Sequence, residues 1–187
     1  MNTMNEMQSD VSLQEMHFKC VVVGDKDVGK SSIIKRFTTG QFSGPLTNMT
    51  LGVKTTAGHA KIEFLESDFA ASADCAIVVF DLARQDSFEN VEAWKTRIEK
   101  RFGNIPIVVL GNKVELGNSR MICNWVRSNP KSALTEALKA PNVVFHSVSA
   151  RCCKGLDYPI LTLCRFLIDQ DLVLDQEFLV PLEALVS

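Results

Sequence analysis

The residues best equipped for chemistry lie between Val21 and Ser32, in the run VVVGDKDVGKSS, where Gly24, Gly29, Lys30 and Ser31 fill the pattern G-x-x-x-x-G-K-[ST]. A glycine-permissive loop can turn backbone N–H groups inward on a chain of phosphates, and a helix that starts there points its positive end at the same anion. The cradle so defined runs through Gly24, Asp25, Lys26, Asp27, Val28, Gly29, Lys30, Ser31 and Ser32. Lys30 supplies a point charge for the β and γ phosphates, and the Ser31 hydroxyl suits Mg²⁺, a hard cation that takes oxygen ligands.

Such a loop must be held between a strand and a helix. Phe18 to Val23 is an apolar, β-branched run of strand length, and Ile33, Ile34 and Phe37 recur at helical spacing up to Gly40, a C-cap. Thr38 to Thr50 reads as a functional loop, followed by short strands at Val53 to Thr56 and Lys61 to Leu65 around a hairpin turn at Ala57-Gly58. Cys75 to Phe80 and Ile105 to Leu110 are unbroken apolar runs, as strands buried on both faces are, and Val143 to Val148 is the last strand. Between them Phe88, Val91, Trp94, Ile98 and Phe102 mark an amphipathic helix, with Asp86 or Ser87 as N-cap and Gly103 as stop. Its Lys95, Arg97, Lys100 and Arg101 are interleaved with Glu92 and Glu99 and read as a solvated face. Leu116 to Pro141 is polar and predicts two short helices, one opened by Pro130 with Asn129 as cap; Pro159 opens the last helix.

Alternating strands and helices give a mostly parallel sheet covered on both faces, and ligands in such sheets sit outside the carboxyl ends of the strands. Three polar clusters fall at those ends: the cradle, Asn112-Lys113-x-Glu115, and Ser149-Ala150-Arg151. Three loops are therefore expected to converge on one pocket.

The chain has 187 residues, enough for one full core, and a formal net charge of −2, which offers no sequence-wide basic field for nucleic acid or an anionic membrane. The six cysteines show no C-x-x-C pairing and read as reduced thiols; Cys152-Cys153 is either a reactive pair or incidental. Met1 to Met16 is polar and acidic without a charged-then-apolar leader, so a flexible arm is expected there. No cysteine near the end and no glycine at the start suit lipid attachment, and no membrane anchor is expected.

In this order the three clusters resemble those of the Ras superfamily of small GTPases, from Phe18 onward. Within it the likeness is greatest to the Ran, or nuclear-transport, type, through Asn104-Ile105-Pro106-Ile107-Val108 with Gly111-Asn112-Lys113-Val114, Phe88-Glu89-Asn90-Val91-x-x-Trp94, Thr50-Leu51-Gly52-Val53 and Phe166-Leu167-Ile168. A Rab-type member is the second choice. The resemblance implies an α/β P-loop NTPase G domain over 17–170, after an arm at 1–16 and before an extension at 171–187. It implies GTP/GDP and Mg²⁺ as ligands, and exchange factors, GTPase-activating proteins and transport receptors as partners. A monomer in nucleus and cytoplasm is expected.

Residue by residue, Asn112 and Lys113 would frame the base, and Glu115 stands where the family has the aspartate that accepts from guanine. Glutamate keeps the acceptor pair but must bend, so guanine preference with lower affinity is expected; adenine would leave the carboxylate unpaired. Ala150 would offer its backbone N–H to the base, Ser149 would shape the turn, and Arg151 replaces the usual lysine. Phe42 matches the aromatic that packs on the purine, and Thr50 the switch I threonine that senses Mg²⁺ and the γ-phosphate. Lys26 and Asp27 replace small residues; Lys26 is either an added charge or a solvent-facing lysine.

The family's second switch reads D-T-A-G-Q, whereas this chain runs Leu65-Glu66-Ser67-Asp68-Phe69-Ala70-Ala71-Ser72-Ala73-Asp74 into the next strand. Asp68 is the candidate Mg²⁺ aspartate, and neither glycine nor glutamine follows it before that strand. Losing the water-orienting residue leaves binding in place and removes the step that makes hydrolysis fast. Two classes stay open: a slow nucleotide-cycling enzyme, with Lys30 and Thr50 in its catalytic apparatus, and a non-hydrolysing binding module.

Overall fold

The computed structural model describes residues 15–42, 49–55, 58–66, 70–116, 124–125, 127–129 and 131–168. In chain order they form β1 (Glu15–Val23), α1 (Lys30–Thr39), β2 (Thr50–Thr55), β3 (Gly58–Glu66), β4 (Cys75–Asp81), α2 (Gln85–Glu89), α3 (Val91–Phe102), β5 (Ile107–Asn112), α4 (Ala133–Leu138), β6 (Val143–Ser147) and α5 (Asp157–Leu167). The strands make one sheet in the order β2-β3-β1-β4-β5-β6, in which β2 pairs antiparallel with β3 and every other pairing is parallel. The expected α/β architecture is borne out.

Strand side chains alternate between two faces, and both are apolar. Cys20 and Val22 of β1, Ile77 and Val79 of β4, and Val108 and Leu110 of β5 pack with Ile33 and Ile34 of α1 and Leu163 of α5. Val21 and Val23, Val78 and Phe80, Ile107 and Val109 face the other way, onto Phe88, Val91, Ile98 and Leu134 of α2, α3 and α4. Each fully buried branched or aromatic side chain contributes roughly 1.5–3 kcal/mol. All seven residues of β4 and all six of β5 are buried, as their unbroken apolar runs predict.

Three local expectations are corrected. The helix after β4 starts at Gln85 with Arg84 as N-cap residue, and divides at Asn90 into α2 and α3. Ser87 is no cap because it is buried, its hydroxyl accepting from Asp81 N–H at 3.0 Å and donating to the Arg84 carbonyl at 2.8 Å. Helix α4 is capped by Ser132, whose Oγ accepts from Thr135 N–H at 3.1 Å, while the Asn129 carbonyl takes the Thr135 hydroxyl at 2.7 Å. Pro130 lies outside the described residues. Helix α5 begins two positions before Pro159, at Asp157.

The link from β3 to β4 is the feature with most bearing on function. Both strands run parallel to β1, on either side of it, with Glu66 beside Val22 and Cys75 beside Cys20. The connection has only residues 67 to 74, and the part described, 70–74, contains no helix. Parallel crossovers ordinarily need a dozen or more residues and carry a helix. Here Asp74 anchors the descent, its N–H donating to the Lys19 carbonyl at 2.9 Å while its carboxylate accepts from Lys19 N–H at 2.8 Å. Arg101 of α3 holds the Ala70 carbonyl at 2.8 Å.

Candidate functional site

The loop from β1 to α1 adopts backbone angles that most side chains cannot. Gly24 has φ 138 and Gly29 φ 97, and a Cβ on Gly24 would lie 2.0 Å from the Val79 carbonyl oxygen. Asp27 also takes a left-handed φ of 63. Within this bent loop the Lys30 ammonium reaches back to donate to the carbonyls of Gly24 at 2.8 Å and Asp25 at 2.6 Å. Gly29 lies at the N-cap of α1 without a side-chain cap, and the Ser31 hydroxyl is on an exposed residue of the first turn. A glycine-bent loop leading into a helix N-terminus, a lysine held at that loop and a hydroxyl in the first helical turn fit a polyphosphate with its Mg²⁺.

Asn112, at the end of β5 and 2 % exposed, joins all three predicted loops. Its Nδ2 donates to the Val28 carbonyl at 2.9 Å and its Oδ1 accepts from Ala150 N–H at 3.1 Å. Gly29 is required for this approach, since a Cβ there would stand 2.3 Å from Asn112 Nδ2. Lys113, with φ 64, donates from Nζ to the Asp27 carbonyl at 2.9 Å. The same ammonium pairs with Asp81 Oδ2 at 2.7 Å, and Asp81, its side chain 4 % exposed, also accepts from Ala83 N–H at 2.8 Å.

Arg36 of α1 fixes the third loop, donating to the carbonyls of Ala150 at 2.7 Å and Arg151 at 3.1 Å. Its guanidinium also lies 5.7 Å from the centre of the Phe42 ring. Ser149 is fully buried and its Oγ accepts from Cys152 N–H at 2.8 Å, which shapes the turn.

A second set of contacts ties the cradle to the helices beside it. The Asp25 carboxylate accepts from Asn90 Nδ2 and Trp94 Nε1, both at 2.8 Å, and Arg84 donates to the Lys26 carbonyl at 3.1 Å. The guanidinium is also paired with Asp86 at 2.8 Å, and this pairing raises the Arg84 pKa and lowers that of Asp86. Lys26 and Ser32 keep their places in the loop and the first turn, Lys26 facing solvent. Sequence reasoning did not single out Arg36, Asp81, Arg84, Asn90 or Trp94 for the site; a carboxylate ending the apolar β4 run is the one signal that could have pointed there, and the sheet sets it in register with Asn112.

Other predicted residues are not gathered here. Thr50 opens β2 opposite Glu63, which itself lies beside Lys19, five positions before Gly24, or roughly 16 Å at strand rise. It lines a separate cavity of 660 Å³ with His17, Phe18, Lys19, Lys61, Glu63, Ser72 and Asp74. Glu115 follows the Lys113 turn and is exposed. Asp68 lies outside the described residues. The protein-family model described as Ras family matches this chain over residues 19–53 and 44–168.

Proposed function

The chain belongs to the Ras family, and from that premise we propose that it binds GTP and GDP with Mg²⁺ and hydrolyses GTP slowly. One observation carries the reading: a single buried side chain, Asn112, bonds to the phosphate loop through Val28 and to the third loop through Ala150 N–H. Phosphate and base recognition are thereby built on one rigid node. In this reading Lys30 exchanges its two carbonyl partners for phosphate oxygens, and Ser31 is the Mg²⁺ ligand that α1 provides. Mg²⁺, when bound, would neutralise phosphate charge. Ala150 N–H, Lys113 and Phe42 frame the base, and the exposed Glu115 carboxylate bends inward to read guanine.

Slow hydrolysis follows from the crossover. The eight residues between Glu66 and Cys75 contain no glycine or glutamine to meet a γ-phosphate or orient water. Thr50 must leave the β2–β3 ladder to reach Ser31, so the difference between di- and triphosphate states is small. The same facts favour a second reading, a binding module that holds nucleotide without cycling. The Ran-like motifs support a role in nucleocytoplasmic transport, in nucleus and cytoplasm, with exchange factors, activating proteins and transport receptors as partners; a Rab-like trafficking role is the alternative.

Single-turnover phosphate release, with Lys30→Ala as control, separates the two. The proposal expects a slow release abolished by Lys30→Ala; release indistinguishable from that control supports the binding module, and fast turnover contradicts both.

A further inference from the structure

We propose that Arg84 is a positioning residue for the phosphate loop: by holding the Lys26 carbonyl it keeps the N–H of Asp27 turned towards the bound phosphates. The inference rests on the nucleotide-binding reading of that loop and adds to it a residue from outside the loop's own motif.

Every carbonyl from Gly24 to Gly29 is engaged by a donor of the protein itself. Lys30 Nζ takes those of Gly24 and Asp25, Arg84 Nη1 that of Lys26 at 3.1 Å, and Lys113 Nζ that of Asp27 at 2.9 Å. Asn112 Nδ2 takes that of Val28 at 2.9 Å and Ile33 N–H that of Gly29 at 3.0 Å. In a planar trans peptide the carbonyl and the next N–H point in opposite directions, so each anchored carbonyl fixes where the following N–H aims. Arg84 thereby sets the N–H of Asp27, from which no described residue accepts a hydrogen bond.

Asp27 is where such a hold is most needed. Its φ of 63 is left-handed, a conformation that a Cβ opposes. The simplest relief is a flip of the peptide joining Lys26 to Asp27, which returns φ to negative values and brings the Lys26 carbonyl round to the side where the N–H had been. A carbonyl oxygen there would repel phosphate oxygens. Arg84 opposes the flip from one side of Asp27 and Lys113 braces the other, and strained backbone persists where its surroundings over-determine it in this way. The guanidinium is preorganised for this contact. Asp86 Oδ1 accepts from Nε at 3.4 Å and Oδ2 from Nη2 at 2.8 Å, which leaves Nη1 for the loop. A rigid fork makes both sets of bonds at once, whereas a lysine ammonium keeps the charge and loses the paired geometry.

The test times release of a fluorescent GDP from the full chain and from Arg84→Ala, Arg84→Lys, Asp27→Gly and the Asp27→Gly/Arg84→Ala double variant. Loss of one aimed N–H corresponds to release about five- to tenfold faster, expected in Arg84→Ala and Arg84→Lys alike. Glycine adopts left-handed backbone without strain, so in the Asp27→Gly background most of that factor should vanish. Release at the unsubstituted rate in Arg84→Ala overturns the proposal. Unsubstituted behaviour in Arg84→Lys alone overturns it too, since charge and not the hold would then be at work, and so does the full factor persisting in the Asp27→Gly background. If the unsubstituted protein binds no GDP, the function proposed above fails by itself. The hold is then read in the ligand-free protein by NMR: exchange broadening of the Asp27 amide signal in Arg84→Ala supports it, and an unchanged signal overturns it.

Discussion

At the scale of single residues, the site depends on positions where one atom too many is excluded. Gly29 is the sharpest, since its left-handed backbone and the 2.3 Å approach of Asn112 Nδ2 both exclude a Cβ. Gly29→Ala is expected to lower stability by about 2 kcal/mol, in the range for a strained non-glycine backbone, and a fall in Tm of several degrees in calorimetry checks it. Asp81 and Lys113 make a pair buried on one side only, with side chains 4 % and 30 % exposed. Asp81→Ala leaves Lys113 without its carboxylate next to the phosphate loop, so GDP affinity is expected to fall by about tenfold in titration. Glu115→Asp moves the other way: a carboxylate that need not bend should tighten GDP binding several-fold, roughly 1 kcal/mol.

Elements decide how these residues are held. The phosphate loop is braced from α2 and α3 through Asp25, and Trp94 Nε1 gives one of the two bonds to it. Trp94→Phe keeps an aromatic ring and removes the donor, so nucleotide should dissociate about fivefold faster with little change in Tm, as stopped-flow release would show. On the far edge His146 of β6 meets Thr162 of α5 at 2.9 Å and stacks on Tyr158. Burial lowers the His146 pKa below its ordinary value. The folded protein then holds fewer protons than the unfolded chain, so stability is complete above the unfolded value near 6.5 and is lost as pH falls towards the lower folded value. Denaturant midpoints should decline from pH 7 to pH 5, and His146→Gln should flatten that decline. The elements were legible in the sequence where burial is symmetric: β4 and β5 carry unbroken apolar runs because helices cover both faces. The phosphate loop was legible because its glycines serve a local backbone need. Ser87 misled because a short polar residue ahead of an apolar stripe resembles a cap, while its hydroxyl is occupied by Asp81 and Arg84 backbone across a buried turn. Arg36 left no trace in sequence pattern, and Asp25 was legible as a member of the cradle but not as its brace, since the partners Ala150 and Trp94 lie far along the chain and only the completed sheet brings them together.

For the whole molecule, the Ras-family fold brings three loops together at Asn112 and joins β3 to β4 by a short crossover, and the proposed function assigns nucleotide binding to the first feature and slow turnover to the second. The proposed function therefore expects binding and turnover to be separable: three loops converge through Asn112, whereas Thr50 is in a strand ladder and the crossover after β3 is eight residues long. Exchange of GTP for GDP should accordingly change the overall structure little. The most direct measurement is isothermal calorimetry of the purified protein with GDP, GTP and ATP in the presence of Mg²⁺. The account predicts saturable heat with both guanine nucleotides, far weaker heat with ATP, and none in Lys30→Ala; the absence of heat with GDP and GTP, or equal binding of ATP, would contradict it.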